Sequence, residues 1–187
     1  MTAQAPADEK ALPYAGLRMV EFTHMVMGPT CGMVFADLGA EVIKVEPPKG
    51  DNTRNLLGSG AGFYPLFNRN KKSLVLDLKT PEGREAVLRL IATADIVSHN
   101  FRPETMAAQG LDYPALKKLN PRLIYIALKG FLPGPYEHRT ALDEVVQMMG
   151  GLAYMTGPVS QPLRAGTSVN DIMGGMFGAI AAMAALA

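Results

Sequence analysis

The chain has a single cysteine, Cys31, in 187 residues. One thiol rules out an internal disulfide framework and offers none of the paired spacings of structural metal sites. It agrees with a reducing compartment, so a cytoplasmic location is expected. Charge of one sign is equally scarce: 18 basic against 17 acidic residues leave a net +1. Without a cationic excess to hold a phosphate backbone, nucleic acid is not an expected partner. The first dozen residues, MTAQAPADEKAL, lack the apolar stretch of a secretion signal, and 1–12 is expected to form a disordered leader. The one long uncharged stretch, Ile172 to Ala187, has 16 residues, fewer than the roughly 20 that cross a bilayer. It reads as a buried helix, and no membrane partner is expected. No internal repeat is visible, and no GxGxxG spacing follows the first strand, which argues against a dinucleotide site.

What is present suits one globular domain, with 48% hydrophobic and 19% charged residues to build a core and a solvated surface. Strand candidates are Leu17 to Phe22, Val42 to Val45, Ser73 to Leu78, Ile96 to Ser98 and Leu123 to Leu128. Helical patterns lie between them: Thr30 to Leu38 with Thr30 as cap and Gly39 as stop, Pro81 to Thr93 behind Thr80, and Tyr113 to Leu119. On the Pro81 helix, Ala86, Leu90 and Ile91 share a face with Val87 beside them. Strands alternating with helices predict an α/β, Rossmann-like, mostly parallel sheet with helices on both faces. Loops at His24 to Pro29, Pro47 to Arg54, His99 to Pro103 and Lys129 to Tyr136 should gather beyond the carboxyl ends of the strands, where such sheets bind ligands.

Several residues could carry chemistry. Asp171 precedes an apolar helix, where it reads as an N-cap; the positive helix end would also keep its carboxylate ionised, which suits a nucleophile. Gly174, Gly175, Gly178 and Ala182 make a face without side chains for close packing. His24 reads as a hydrogen-bonded loop histidine. Asn100, Phe101 and Arg102 stand in an HNFRP turn at a strand end, and Lys79 lies just before a helix start.

The ADLGAEVIKVEPP segment from Ala36 to Pro48, with Gly50, Asp51 and Arg54 after it, resembles the family III CoA-transferases, and the resemblance runs from about Leu12 to Ala187. It implies that Asp171 is the catalytic nucleophile. It also implies that coenzyme A is held by the first loop around Val26, by the stretch of Leu76, Asp77, Leu78 and Lys79, by Asn100, Phe101 and Arg102, and by the block from Lys129 through Arg139. Asn100 would hydrogen-bond a pantetheine amide, Phe101 pack on adenine, and Arg102 and Lys79 meet phosphates. Arg139 would serve CoA or the acyl carboxylate, while Asp143 and Gln147 read equally as structural. The implied reaction moves CoA from an acyl-CoA donor to a free carboxylic acid through an aspartyl anhydride and an aspartyl-CoA thioester, with no metal and no permanently bound cofactor. Spare cations at Arg102, Arg139 and Arg164 suggest small hydroxylated or dicarboxylic acids with succinyl-CoA as donor.

The chain departs from the formyl-CoA branch at Val26, Pro47 and Leu142, where that branch has glutamine, arginine and tyrosine. The related racemases place a histidine where this chain has Leu142, and leucine cannot exchange a proton, so a racemase or isomerase is the weaker alternative. A non-catalytic CoA-binding fragment is a third reading. By the resemblance, residues 13–187 form the N-terminal part of a large domain whose full-length relatives are interlocked homodimers, and the chain is expected to be truncated.

Overall fold

The computed structural model describes residues 11–187. Of the expected leader, residues 1–10 lie outside the described ones, and Ala11 and Leu12 are exposed and irregular. The sheet has five parallel strands: β1 (Arg18–Phe22), β2 (Glu41–Glu46), β3 (Lys72–Val75), β4 (Ile96–His99) and β5 (Ile124–Ala127), in the order β3-β2-β1-β4-β5. The connecting helices are α1 (Met27–Asp37), α2 (Phe63–Phe67), α3 (Pro81–Ile91), α4 (Pro103–Ala108) and α5 (Tyr113–Leu119), with α6 (Asp143–Met149), α7 (Leu152–Thr156) and α8 (Val169–Leu186) following β5. Strand order reverses between β1 and β4. Their following loops therefore part at the carboxyl edge and leave a crevice there, as open α/β sheets do.

One face of the sheet is mainly apolar, with buried His99 in register beside Phe22. Val20, Phe22, Val45 and Val97 pack with Val87 and Ile91 of α3, Met106 of α4 and Leu116 of α5. The other face lies under α1 and α8, and its chemistry changes along the strands. Val42, Met19, Ile96 and Ile124 make an apolar row in register; two residues further on, the row is Ser73, Lys44, Glu21 and Ser98.

Local signals explain most boundaries. Thr80 caps α3, its hydroxyl oxygen accepting the Gly83 N–H at 3.1 Å with Pro81 in the first turn. The buried row of α3 is Gly83, Val87 and Ile91, with Ala86 and Leu90 only partly covered. Gly39, at φ +98°, stops α1 as expected. That helix, however, begins at Met27, so Thr30 is not its cap. Thr30 sits buried inside, its hydroxyl donating to the Val26 carbonyl at 2.8 Å.

The expectation of a buried terminal helix is only half met. Along α8 the glycine face packs on α1: a Cβ at Gly175 would come within 2.6 Å of Thr30 Cβ, so only glycine allows this approach. The opposite side, with Met173, Met176, Phe177 and Ile180, is exposed. At 18 residues and mean hydropathy 1.5, α8 is long and apolar enough to cross a membrane by length and composition.

Candidate active site

A cleft of about 530 Å³ opens at the carboxyl edge, between the loops after β1, β2, β4 and β5 and the first turn of α8. Three of the four expected loop regions contribute to it directly, through His24 to Met27, Asn100 and Gly130. Its wall is largely apolar, with Met25, Val26, Met27, Leu57, Phe63 and Leu142, and its acids are Asp143, Glu144 and Asp171.

Asp171 is the third residue of α8 and not its cap; Ser168 holds the cap position without a side-chain bond. The capping is done from another helix. Asp143 Oδ1, at the start of α6, accepts the Asn170 N–H at 2.8 Å and the Asp171 N–H at 3.1 Å. Gln147, one turn on, is fully buried, donates to the other Asp143 oxygen and to the Thr167 carbonyl, and accepts the Ala165 N–H at 2.6 Å. This clip fastens α6 to the segment leading into α8, and so aims Asp171 into the cleft.

The electrostatics differ from the expected helix-end effect. Burial, then the neighbouring carboxylates of Asp143 and Glu144, push the Asp171 pKa up from 3.8 to about 6. At neutral pH the group is still mainly ionised, and it is more basic than an ordinary aspartate.

The floor is the loop from Thr23 to Val26, and it is held by side chains. Asn100 Oδ1 accepts the His24 N–H at 3.0 Å, and its Nδ2 donates to the His24 carbonyl at 2.9 Å. One N–H and one lone pair of Asn100 stay available to a ligand. Phe101 stacks on the His24 ring at 5.0 Å between centroids. Burial holds His24 below the usual histidine range, so the imidazole is neutral at pH 7. His24 thus lines the cleft, as its place in the first loop implies, but its ring Nδ1 is buried without a hydrogen-bond partner, unlike the hydrogen-bonded loop histidine expected.

Under the floor lies a buried ionic network. Lys44 Nζ is 3.0 Å from Asp51 Oδ2, and Lys71 Nζ is 2.8 Å from Glu21 Oε1. Glu46 accepts from Arg54, Tyr64, Ser73 and the Asp51 N–H. Burial opposes ionisation of Glu46, but these donors together hold it well below the usual carboxylate range. A Cβ at Gly32 of α1 would strike the Glu21 carboxylate, so glycine there lets the helix cover the network. The strand expected at Val42 to Val45 reads as apolar; the signal missed is Lys44 and Glu46 at alternate positions of β2, on the side of the sheet that carries the ionic row.

Among the residues expected from the sequence, Val26, Asn100 and Asp171 line the cleft, and Phe101 stands beside it against His24. The others lie elsewhere. Leu76 packs on the α3 core, and Asp77 turns the chain into α3 by accepting the Lys79 N–H at 3.0 Å. Lys79 borders a separate shallow hollow with Pro81 and Arg84. Arg102 is exposed at the start of α4, and Arg139 is exposed over the Tyr136 ring. Of the three arginines expected near an acyl carboxylate, only Arg164 reaches the cleft, and it lies 3.7 Å from Glu144.

Comparison with known proteins agrees with this geometry. The model of CoA-transferase family III matches residues 14–187. A succinate–glutarate CoA-transferase from Agrobacterium fabrum is 42% identical over 93% of this chain and 47% of its own length. An acetyl-CoA:oxalate CoA-transferase from Acetobacter aceti is 41% identical over 95% of the chain and 47% of its own. The crystal structure of a CAIB/BAIF family protein from Brucella suis superimposes with a TM-score of 0.88 at 41% identity, covering 95% of this chain and 50% of that one. The chain spans about half the length of the relatives it matches.

Proposed function

The chain belongs to CoA-transferase family III, and from that premise we propose that it carries the nucleophile of a CoA transfer from an acyl-CoA donor to a free carboxylic acid. The observation that carries this reading is Asp171, a carboxylate of raised basicity set in the cleft by the Asp143–Gln147 clip. The ionised Asp171 oxygen attacks the donor thioester carbonyl, the C–S bond breaks, and CoA thiolate leaves a mixed anhydride. The thiolate then attacks the aspartyl carbonyl, expelling the donor acid and leaving an aspartyl-CoA thioester. The acceptor carboxylate attacks that thioester and releases the thiolate again. Finally, the thiolate takes the acceptor acyl group from the second anhydride and restores Asp171. Each step exchanges acyl partners, so the scheme calls for CoA thioesters as substrates and for no redox group. Anhydrides hydrolyse readily, and the apolar walls favour water exclusion.

Dicarboxylic acids are the acceptors best supported, through the succinate, glutarate and oxalate in the relatives' names; succinyl-CoA as donor is supported by the name of a further relative, a succinyl-CoA–D-citramalate CoA-transferase from Chloroflexus aurantiacus. A racemase would need a proton-transferring pair, and Leu142 at the cleft carries no exchangeable side-chain proton. An interlocked homodimer of the full-length protein is part of the proposal, supported by the exposed apolar side of α8. A cytoplasmic location is supported by the reduced, buried Cys31.

The test is intact-mass and peptide mass spectrometry after incubation with succinyl-CoA, comparing the chain with Asp171→Asn. A CoA-sized adduct on the Asp171 peptide, missing from the variant, is expected. An adduct that persists in the variant would remove Asp171 from the chemistry, and deuterium uptake at the acyl α-carbon without an acceptor acid would turn the reading to isomerisation.

A further inference from the structure

The loop from Thr23 to Val26 has no strand or helix partner for its first residues, yet side chains hold several of its backbone groups, while His24 Nδ1 is buried without a hydrogen-bond partner. The Thr23 carbonyl accepts from Lys44 Nζ, the His24 N–H donates to Asn100 Oδ1 while the His24 carbonyl accepts from Asn100 Nδ2, and the Met25 N–H donates to Thr53 Oγ1 at 2.9 Å. Met25 sits at φ +61°, a left-handed conformation that costs a side-chain-bearing residue energy unless its surroundings hold it. Thr53 is what holds it. Its hydroxyl donates to Asp51 Oδ1 at 2.7 Å while accepting from Met25, and the other Asp51 oxygen faces Lys44, which returns to Thr23. The result is a closed ring from the loop through Thr53, Asp51 and Lys44 back to the loop. All three side chains are buried, and none of them lines the cleft.

We infer that Thr53 is a positioning residue for the acyl-CoA site: through Met25 it sets the backbone turn that places His24, Met25, Val26 and Met27 along the cleft. This rests on the CoA-transferase reading above. The ring also gives Asp51 a physical purpose, since the Thr53 hydroxyl needs an acceptor fixed by a buried cation to be oriented toward the loop.

Thr53→Val keeps the shape and removes the hydroxyl, whereas Thr53→Ser keeps the hydroxyl. The readouts are CoA affinity by calorimetry, hydrogen exchange at the Met25 amide, and melting temperature, with Ile91→Val as a stability control remote from the cleft. Thr53→Val is expected to weaken CoA binding about ten-fold or more and to accelerate Met25 exchange, with Thr53→Ser within about two-fold of the parent. The control should lower the melting temperature and leave affinity unchanged. CoA affinity in Thr53→Val equal to the parent would overturn the inference. Should the parent chain itself fail to bind CoA, the transferase reading falls, and Met25 exchange alone then decides the ring: unchanged exchange in Thr53→Val overturns it.

Discussion

The two faces of the sheet are built from the same strands and serve different ends. Under α3 and α5, Val20, Phe22, Val45 and Val97 form a core held mainly by apolar packing, with no ion pair within it. Under α1, packing of that kind extends only to the Val42, Met19, Ile96 row, and the next row toward the cleft is Lys44, Glu21 and Ser98. Burying charges there is a poor route to stability, because desolvation consumes much of what pairing returns. What charged groups supply and valines do not is direction. Lys44 holds the Thr23 carbonyl and Asp51 orients the Thr53 hydroxyl that holds the Met25 N–H, and both of those backbone groups belong to the loop that floors the cleft. One face makes the fold, and the other, at its carboxyl end, sets the site.

The sharpest break of that comparison is Lys44→Met. Removing this ammonium leaves Asp51 buried without its partner and should cost roughly 3–5 kcal/mol in urea unfolding. A cost below that of an apolar trim on the other face would mean that the ionic row is replaceable filling.

Next in size is the clip on Asp171. Asp143→Ala frees the Asn170 and Asp171 N–H groups inside the first turn of α8, with an expected loss of about 1–3 kcal/mol. It also takes away a negative neighbour, so the Asp171 pKa should fall from about 6 toward its ordinary value. The parent chain has a matching pH signature. Between about pH 4 and 6 the folded state keeps a proton on Asp171 that the unfolded chain releases, so this group's contribution to stability declines as pH rises through that window and is constant above it. Unfolding measured against pH should show Asp171→Asn gaining on the parent from pH 4 to 6 and holding its advantage beyond. Parallel curves for the two proteins would mean that the carboxylate is not desolvated.

Smaller again is Ile91→Val, fully buried on the apolar face, with an expected loss of about 0.5–1.5 kcal/mol and no change in ligand affinity. A change in affinity would show that the α3 face also reaches the site.

The sequence revealed the apolar face more readily than the ionic one, for a physical reason. Alternation of strand and helix patterns, Thr80 with Pro81, and Gly39 are local signals, and they placed the parallel sheet, the start of α3 and the stop after α1 correctly, while α3 ends at Ile91 and not at Thr93. The start of α1 was missed because no residue next to it supplies a side-chain cap. The clip was missed because Asp143 and Asp171 are 28 residues apart in the chain, and only the fold makes one the cap of the other's helix. Lys44 and Glu46 were visible as letters, but their pairing with Asp51 and Arg54 depends on a turn whose shape no periodicity encodes. The five cleft residues Leu56, Leu57, Ser59, Gly60 and Phe63 follow β2 in short turns and at the start of α2, with no pattern of their own.

The smallest expected effect belongs to α8, where the contrast between faces recurs within one helix. Its uniformly apolar composition gives no stripe to tell inside from outside, yet Gly175 and Ala179 are buried while Phe177 is 62% exposed. The glycines decide the matter, since α1 can approach only where no side chain intervenes. Phe177→Ser in this chain removes a ring with little covering it, so the change should stay within about 0.5 kcal/mol. Gly175→Ala would instead force a methyl against the Met27 carbonyl and Thr30, and should cost distinctly more. Thermal unfolding of the two variants side by side measures the asymmetry. A large loss from Phe177→Ser would show that the outer side is covered in solution, with concentration dependence of the melting temperature identifying another copy of the chain as the cover.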